Sequence, residues 1–127
     1  MENKHLVYNS ITCLECNEEL ISYYTHDYKS CNCNNNASID GGTDYIKFSA
    51  KNINNIKFLT IYNDEPFELV RKYAVRGSRG INGDEPLIWI KICDMSDEHL
   101  KAVIEYGGAN WHINLIKKEI EFRKNNI

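Results

Sequence analysis

Lys57-Phe58-Leu59-Thr60-Ile61-Tyr62-Asn63-Asp64-Glu65-Pro66 is the stretch at which the chain changes from one kind of secondary structure to another. Its first six residues have too few polar breaks for a surface loop and read as a strand. Its last three read as a helix start, with Asp64 as a capping carboxylate, Glu65 as a first-turn acid, and Pro66 where a missing N–H costs nothing. Upstream, short runs rich in β-branched and aromatic residues (20–25 and 45–48) alternate with the polar clusters 31–36 and 40–43. That is the pattern of short antiparallel strands joined by tight turns.

Downstream, residues 65–75 place Phe67, Leu69, Val70, Tyr73 and Ala74 at helical spacing, which leaves Arg71 and Lys72 to face outward and ends at Gly77. Residues 76–84, Arg-Gly-Ser-Arg-Gly-Ile-Asn-Gly-Asp, carry too many glycines for a regular element, and Pro86 then introduces an apolar run over 87–92 that reads as a strand. Ser96 caps a second helix with Asp97 and Glu98 at its positive end, Leu100, Val103 and Ile104 on one face, and Gly107-Gly108 at its close. Asn110 caps a third, which turns Trp111, Leu115, Ile116 and Ile120 inward, carries Lys117, Lys118, Arg123 and Lys124 toward its end, and frays over 125–127. No repeat or linker interrupts the chain. The expectation is a single α+β domain over 1–127, with a small N-terminal antiparallel sheet in a strand-rich part (about 1–62) and about three helices in a helical part (about 64–124).

A chain of 127 residues suits one domain with a modest core. Its net charge of -3 and pI near 5.8 argue against a binder of duplex nucleic acid, so any anion site must be local. No run approaches the roughly 20 apolar residues of a membrane span, and residues 1–8 lack a basic segment ahead of a hydrophobic one, so no membrane partner and a cytosolic location are expected. Of the five cysteines, Cys13, Cys16, Cys31 and Cys33 cluster and Cys93 stands alone. In a reducing cytosol that spacing suggests metal or idle thiols before disulfides. Two such pairs on hairpin turns can surround zinc tetrahedrally, with His26 as a possible substitute ligand; free thiols in a small sheet fit the same spacing. A closed four-ligand site staples and does not catalyse, so the metal, if present, is structural and no cofactor is required for chemistry.

The glycine loop is the most informative segment for binding. Arg76 and Arg79 stand on a backbone, at Gly77 and Gly80, that a ligand can approach closely, and phosphate oxygens are met well by guanidinium forks and free amides. Arg71 could add charge from the preceding helix. Tyr62, Phe67 and Trp89 are candidate stacking partners for a purine, and Asn82 could read a base or ribose edge. The same residues also suit a surface loop whose arginines keep it soluble beside ordinary core aromatics. No nucleophile with a base, paired carboxylates or open metal site is recognisable, so the chain does not read as an enzyme.

Several stretches in order resemble the Thoeris anti-defence protein 1 family of phage and prophage proteins: Ile11 to Cys16, His26 to Cys31 with Asp40-Gly41-Gly42, Pro66-Phe67-Glu68 through Arg76-Gly77-Ser78-Arg79-Gly80, Pro86 to Trp89, Met95 to Glu98, and Glu119 to Lys124. The resemblance implies a sponge. Such proteins bind a cyclic ADP-ribose isomer (gcADPR) made by TIR-domain Thoeris proteins and hold it intact, so that the effector NADase is not switched on; cyclic oligonucleotides are also implied as ligands. It further implies a homo-oligomer with the ligand at a subunit interface, acting in the cytoplasm of the infected bacterial host, with Arg76 and Arg79 as ligand contacts and Arg123 as a further candidate. Ser78 departs from the glycine expected there, and the second cysteine pair is tighter than usual. A zinc-ribbon-like adaptor for protein or nucleic acid, and a nucleotide phosphodiesterase, are the competing readings.

Overall fold

The computed structural model describes residues 4–80 and 82–126. It is an α+β chain with antiparallel strands first and three α-helices after them among the described residues. Its contacts gather into two compact units, 1–62 and 63–127. The boundary falls inside the stretch where strand character gives way to helix character.

The first unit is built from β1 (Leu6–Cys13), β2 (Glu19–Ile21), β3 (Lys29–Ser30), β4 (Ser38–Asp40), β5 (Lys47–Ser49) and β6 (Ile56–Tyr62), with a 3-10 turn over Ile53–Asn55. These strands form two antiparallel three-stranded sheets, ordered β2-β1-β6 and β3-β4-β5. The strands expected over 20–25 and 45–48 are shorter and displaced, while β1 was not expected at all. Its sequence, Leu-Val-Tyr-Asn-Ser-Ile-Thr-Cys, lacks clean alternation because the strand is covered on both faces. The register sets Ile11 opposite Leu20 on one side and Phe58 on the other, and Cys13 opposite Ile56.

Ile11, Cys13, Leu20, Cys31, Ala37 and Ile39 form the core of this unit, with Cys33, Ala50 and Ile56 packed against it. Two buried polar side chains of β1 donate to backbone carbonyls. Ser10 Oγ donates to Leu59 O at 3.1 Å, and Asn9 Nδ2 donates to Gly42 O at 3.0 Å and Tyr45 O at 3.2 Å. Asn9 thereby clamps the Gly41-Gly42 turn to the central strand. Gly42 has a φ of +55°, and a Cβ there would overlap the Tyr24 backbone, so only glycine fits.

The second unit runs α1 (Phe67–Tyr73), β7 (Val75–Ser78), β8 (Ile88–Lys91), a 3-10 turn over Ile92–Asp94, α2 (Asp97–Tyr106) and α3 (Asn110–Asn125). Val70, Ala74, Ile92, Met95, Leu100, Val103, Leu115 and Ile116 are its buried apolar residues. The cap of α2 is as expected: Ser96 accepts from the His99 N–H, and Gly107, at φ 90°, closes the helix.

Four local expectations are corrected. Pro66, not Asp64, stands at the cap of α1, with no side-chain cap hydrogen bond; the restricted proline φ suffices to set the entry. The helix stops at Tyr73 because Ala74 turns extended and leads into β7, so it does not reach Gly77. Arg76, Gly77 and Ser78, expected in an irregular loop, are strand residues paired with Ile90, Trp89 and Ile88. Ala109, not Asn110, precedes α3 and offers no cap side chain. Ile81 of the glycine loop and Ile127 of the expected frayed end lie outside the described residues.

Candidate functional site

Two turns carry the clustered cysteines. In the β1–β2 hairpin, Cys13 N–H donates to Glu18 O at 3.0 Å and Asn17 N–H to Cys13 O at 2.7 Å, while Asn17 takes a φ of 62°. In the β3–β4 turn, Cys31 N–H donates to Ala37 O and Asn36 N–H to Cys33 O, both at 3.0 Å, with Asn36 at φ 45°. Asparagine is the residue after glycine that best tolerates this left-handed geometry, which explains its density around both pairs. The two turns fold back in the same way and present their sulfurs to one another.

The Sγ atoms of Cys13, Cys16, Cys31 and Cys33 all lie within 4.8 Å of one another. Cys33 Sγ is 3.4 Å from both Cys13 Sγ and Cys31 Sγ. Zinc–sulfur bonds of about 2.3 Å at tetrahedral angles set sulfurs roughly 3.8 Å apart, so the observed spread brackets the separation such an ion requires. At Cys13 backbone amides, that of Cys16 foremost, favour the thiolate and pull the thiol down to about 6, whereas burial pushes Cys33 up to about 12. Ala37 N–H points at Cys31 Sγ at 3.2 Å. Amide hydrogens directed at sulfur are what a metal-bound thiolate uses to spread its charge. These four cysteines can bind a metal ion. His26 is not among them; its Nδ1 pairs with Tyr45 Oη at 3.0 Å on the surface.

The four arginines of the second unit divide into two pairs. Arg71, expected to face outward, instead grips Glu119 with Nε–Oε1 at 2.7 Å and Nη2–Oε2 at 2.9 Å. Arg123 reaches the same carboxylate with Nε–Oε2 at 2.6 Å and extends to Asp97 Oδ1 at 2.8 Å. Both guanidinium groups are thus engaged inside the fold. The signal missed was the four-residue spacing of Glu119 and Arg123 on one helix face. Phe67 also belongs to this packing, edge-on to Phe122 at 5.9 Å, and Arg71 lies over the Phe122 ring at 4.4 Å.

Arg76 and Arg79 behave differently: among the described residues neither takes part in an ion pair. Arg79 Nη1 donates to Glu85 O at 3.5 Å. The β7–β8 hairpin gathers Arg76, Gly77, Arg79, Gly80, Asn82 and Trp89. Because Gly77 lies opposite Trp89 and Arg76 opposite Ile90, Arg76 and Trp89 emerge from opposite faces of the ribbon. A Cβ on Gly77 would sit 3.2 Å from Trp89 Cζ3, so the glycine lets the ring lie close over the strand. Gly80, at φ +80°, lies against the Glu85 carboxylate, which occupies the space of a side chain. Tyr62 ends β6 in the first unit, with Lys4 Nζ 4.3 Å above its ring.

On α3, His112 is largely buried and its Nε2 has no hydrogen-bond partner among the described residues. Burial, with the Arg76 charge adding to it, holds its imidazole down to about 4. Nothing in the sequence marks His112 as a buried position.

Fold and site together define a small α+β chain with a tetracysteine cluster in one unit and an arginine-bearing hairpin in the other. Residues 5–50 match a family described as Domain of unknown function (DUF7695), a span that includes all four clustered cysteines and stops short of the hairpin. No curated protein and no solved structure matches the chain. Among the described residues, no helix is long and apolar enough to cross a membrane.

Proposed function

We propose that this protein is a non-enzymatic sponge: it binds a cyclic ADP-ribose isomer made by TIR-domain Thoeris proteins and withholds it from the effector NADase in the cytoplasm of an infected bacterium. The observation that carries the reading is the β7–β8 hairpin, where Arg76 and Arg79 stand outside the ion pairs that consume Arg71 and Arg123. A ligand with two phosphates and one adenine is met by two guanidinium groups, the amides of a glycine turn and an indole ring. Since Arg76 and Trp89 emerge from opposite faces, one ligand contacts both only if a second copy supplies one of them. That geometry favours a homo-oligomer with the ligand between subunits.

Sequestration of a scarce signal needs a dissociation constant of about nanomolar order, roughly -12 kcal/mol. The test is to incubate the purified protein with the isomer, pass it through a filter, and assay the filtrate before and after denaturing the protein. Signal lost and then returned intact on heating supports the sponge, and Arg76→Ala should weaken retention by about tenfold to a hundredfold, the worth of one charge-assisted hydrogen bond. Altered ligand after heating would point to a phosphodiesterase, and unchanged signal throughout would leave an adaptor built on the cysteine hairpins.

The tetracysteine cluster holds a structural zinc ion in this reading. Its support is the sulfur spacing together with the amide hydrogens directed at Cys13 and Cys31. Four thiolate ligands fill a tetrahedral ion, so the metal ties the two hairpin turns together and leaves no position for a substrate. Elemental analysis should find one zinc per chain, and Cys13→Ser with Cys31→Ser should abolish it.

A further inference from the structure

The buried side chain beside the sulfurs that neither the core nor the turns fully explain is Asn35, which is only 2% exposed. Its Oδ1 accepts from the Asn52 N–H at 2.7 Å. That bond fixes the orientation of the carboxamide, because an amide donor requires the oxygen there and leaves Nδ2 on the other side. Nδ2 then faces Cys13 Sγ at 3.9 Å and Asn55 O at 3.5 Å. The backbone of the same residue accepts from Lys51 N–H at 2.9 Å. Asn35 therefore sits in the second cysteine turn, holds the segment that leads into β6, and offers a side-chain hydrogen to a sulfur of the first turn.

We propose that Asn35 is a positioning residue for the metal centre, its Nδ2–H bonded to the Cys13 sulfur so that the two cysteine turns are held at ligand spacing before the ion arrives. The inference rests on the metal reading above and deepens it. A donor hydrogen on a thiolate withdraws charge from the metal–sulfur bond and fixes the direction of the sulfur lone pairs, and such outer contacts are commonly worth tenfold to a hundredfold in metal affinity. Asn35 stands two residues beyond Cys33 yet donates to Cys13, so the contact runs from the second cysteine turn to the first.

Asn35→Asp isolates the effect. It keeps an oxygen for the Asn52 N–H and replaces the donor by an acceptor facing Cys13; Asn35→Ala removes both contacts. Full-length wild type and both variants would be titrated with Co2+, read by the thiolate-to-cobalt charge-transfer band, and then with Zn2+ in competition with a chelating dye. Expected for Asn35→Asp is a Zn2+ affinity at least about tenfold lower, with a shifted charge-transfer band, in a chain whose circular dichroism at saturating zinc equals that of wild type. A variant that matches wild type within twofold and gives the same band overturns the role of Asn35 while the metal site stands. A wild-type chain that takes up neither ion overturns the metal reading, and the role of Asn35 with it.

Discussion

Glu119 carries charge where it has no exposed surface, and it is tolerated there because Arg71 and Arg123 approach it from two sides. Burial alone would raise its pKa; the two guanidinium hydrogen bonds outweigh burial and lower it. The stability this contributes is complete above the ordinary glutamate value of 4.5 and is lost as pH falls through the depressed one. Glu119→Ala leaves two half-buried cations facing each other and should cost about 3 kcal/mol in urea unfolding at pH 7. His112 works in the same direction over another range. The unfolded chain takes up its proton near 6.5 and the folded chain only near 4, so stability should decline between those values by up to about 3 kcal/mol. His112→Phe should flatten that part of a melting-temperature profile. Neither residue was legible in the sequence, because a charged or ionisable side chain at a helical core position looks like a surface residue until its partners are placed. Arg71 was misread for the same reason: its carboxylate lies 48 positions away.

At the scale of elements, the caps and turns chosen by local chemistry were the easiest to read. Ser96 and Gly107 bound α2 as expected, and Ser96→Ala should destabilise by about 1 kcal/mol, measured by thermal unfolding followed through tryptophan emission. The cysteine pairs also fell on hairpin turns as their spacing suggested. The β7–β8 ribbon was harder. Glycine at positions 77 and 80 reads as a break, yet Gly77 is a strand residue whose missing side chain admits Trp89, while Gly80 supplies a turn with positive φ. Identical residues thus do opposite jobs three positions apart, and only the cross-strand partner distinguishes them. Within the sponge reading, the Glu85 carboxylate against Gly80 is an internal competitor for an incoming phosphate. Glu85→Gln should therefore tighten ligand retention severalfold in the filter assay, whereas a hairpin that does not meet phosphate should be indifferent to the change.

The chain gathers into the units 1–62 and 63–127, and both tryptophans, Trp89 and Trp111, fall in the second. Tryptophan emission consequently reports on 63–127, while tyrosine and strand signals weigh toward 1–62. If zinc staples the first unit, a chelator should lower the far-ultraviolet strand signal and the first melting step while the tryptophan spectrum keeps its wavelength; a parallel shift in both would mean that the metal supports more than the cysteine unit. The α+β class was legible because hydrophobic period and turn residues change together between the strands and the first helix. The presence of two sheets was not, since β1 is buried on both faces and has no alternation to read.

The pairing of β1 with β6 also has a consequence in time. Leu6 lies opposite Tyr62 and Cys13 opposite Ile56, so the central strand of its sheet has only its local neighbour β2 until the last strand of the unit leaves the ribosome. At synthesis rates of about 5–20 residues per second, that interval is roughly two to eight seconds. Throughout it, one long, largely apolar edge is open to any other strand, including that of a neighbouring nascent chain. A protein made in bulk over a short period would meet that hazard at its highest concentration, so the yield of folded chain should depend more on the rate of translation than on the final stability of the fold.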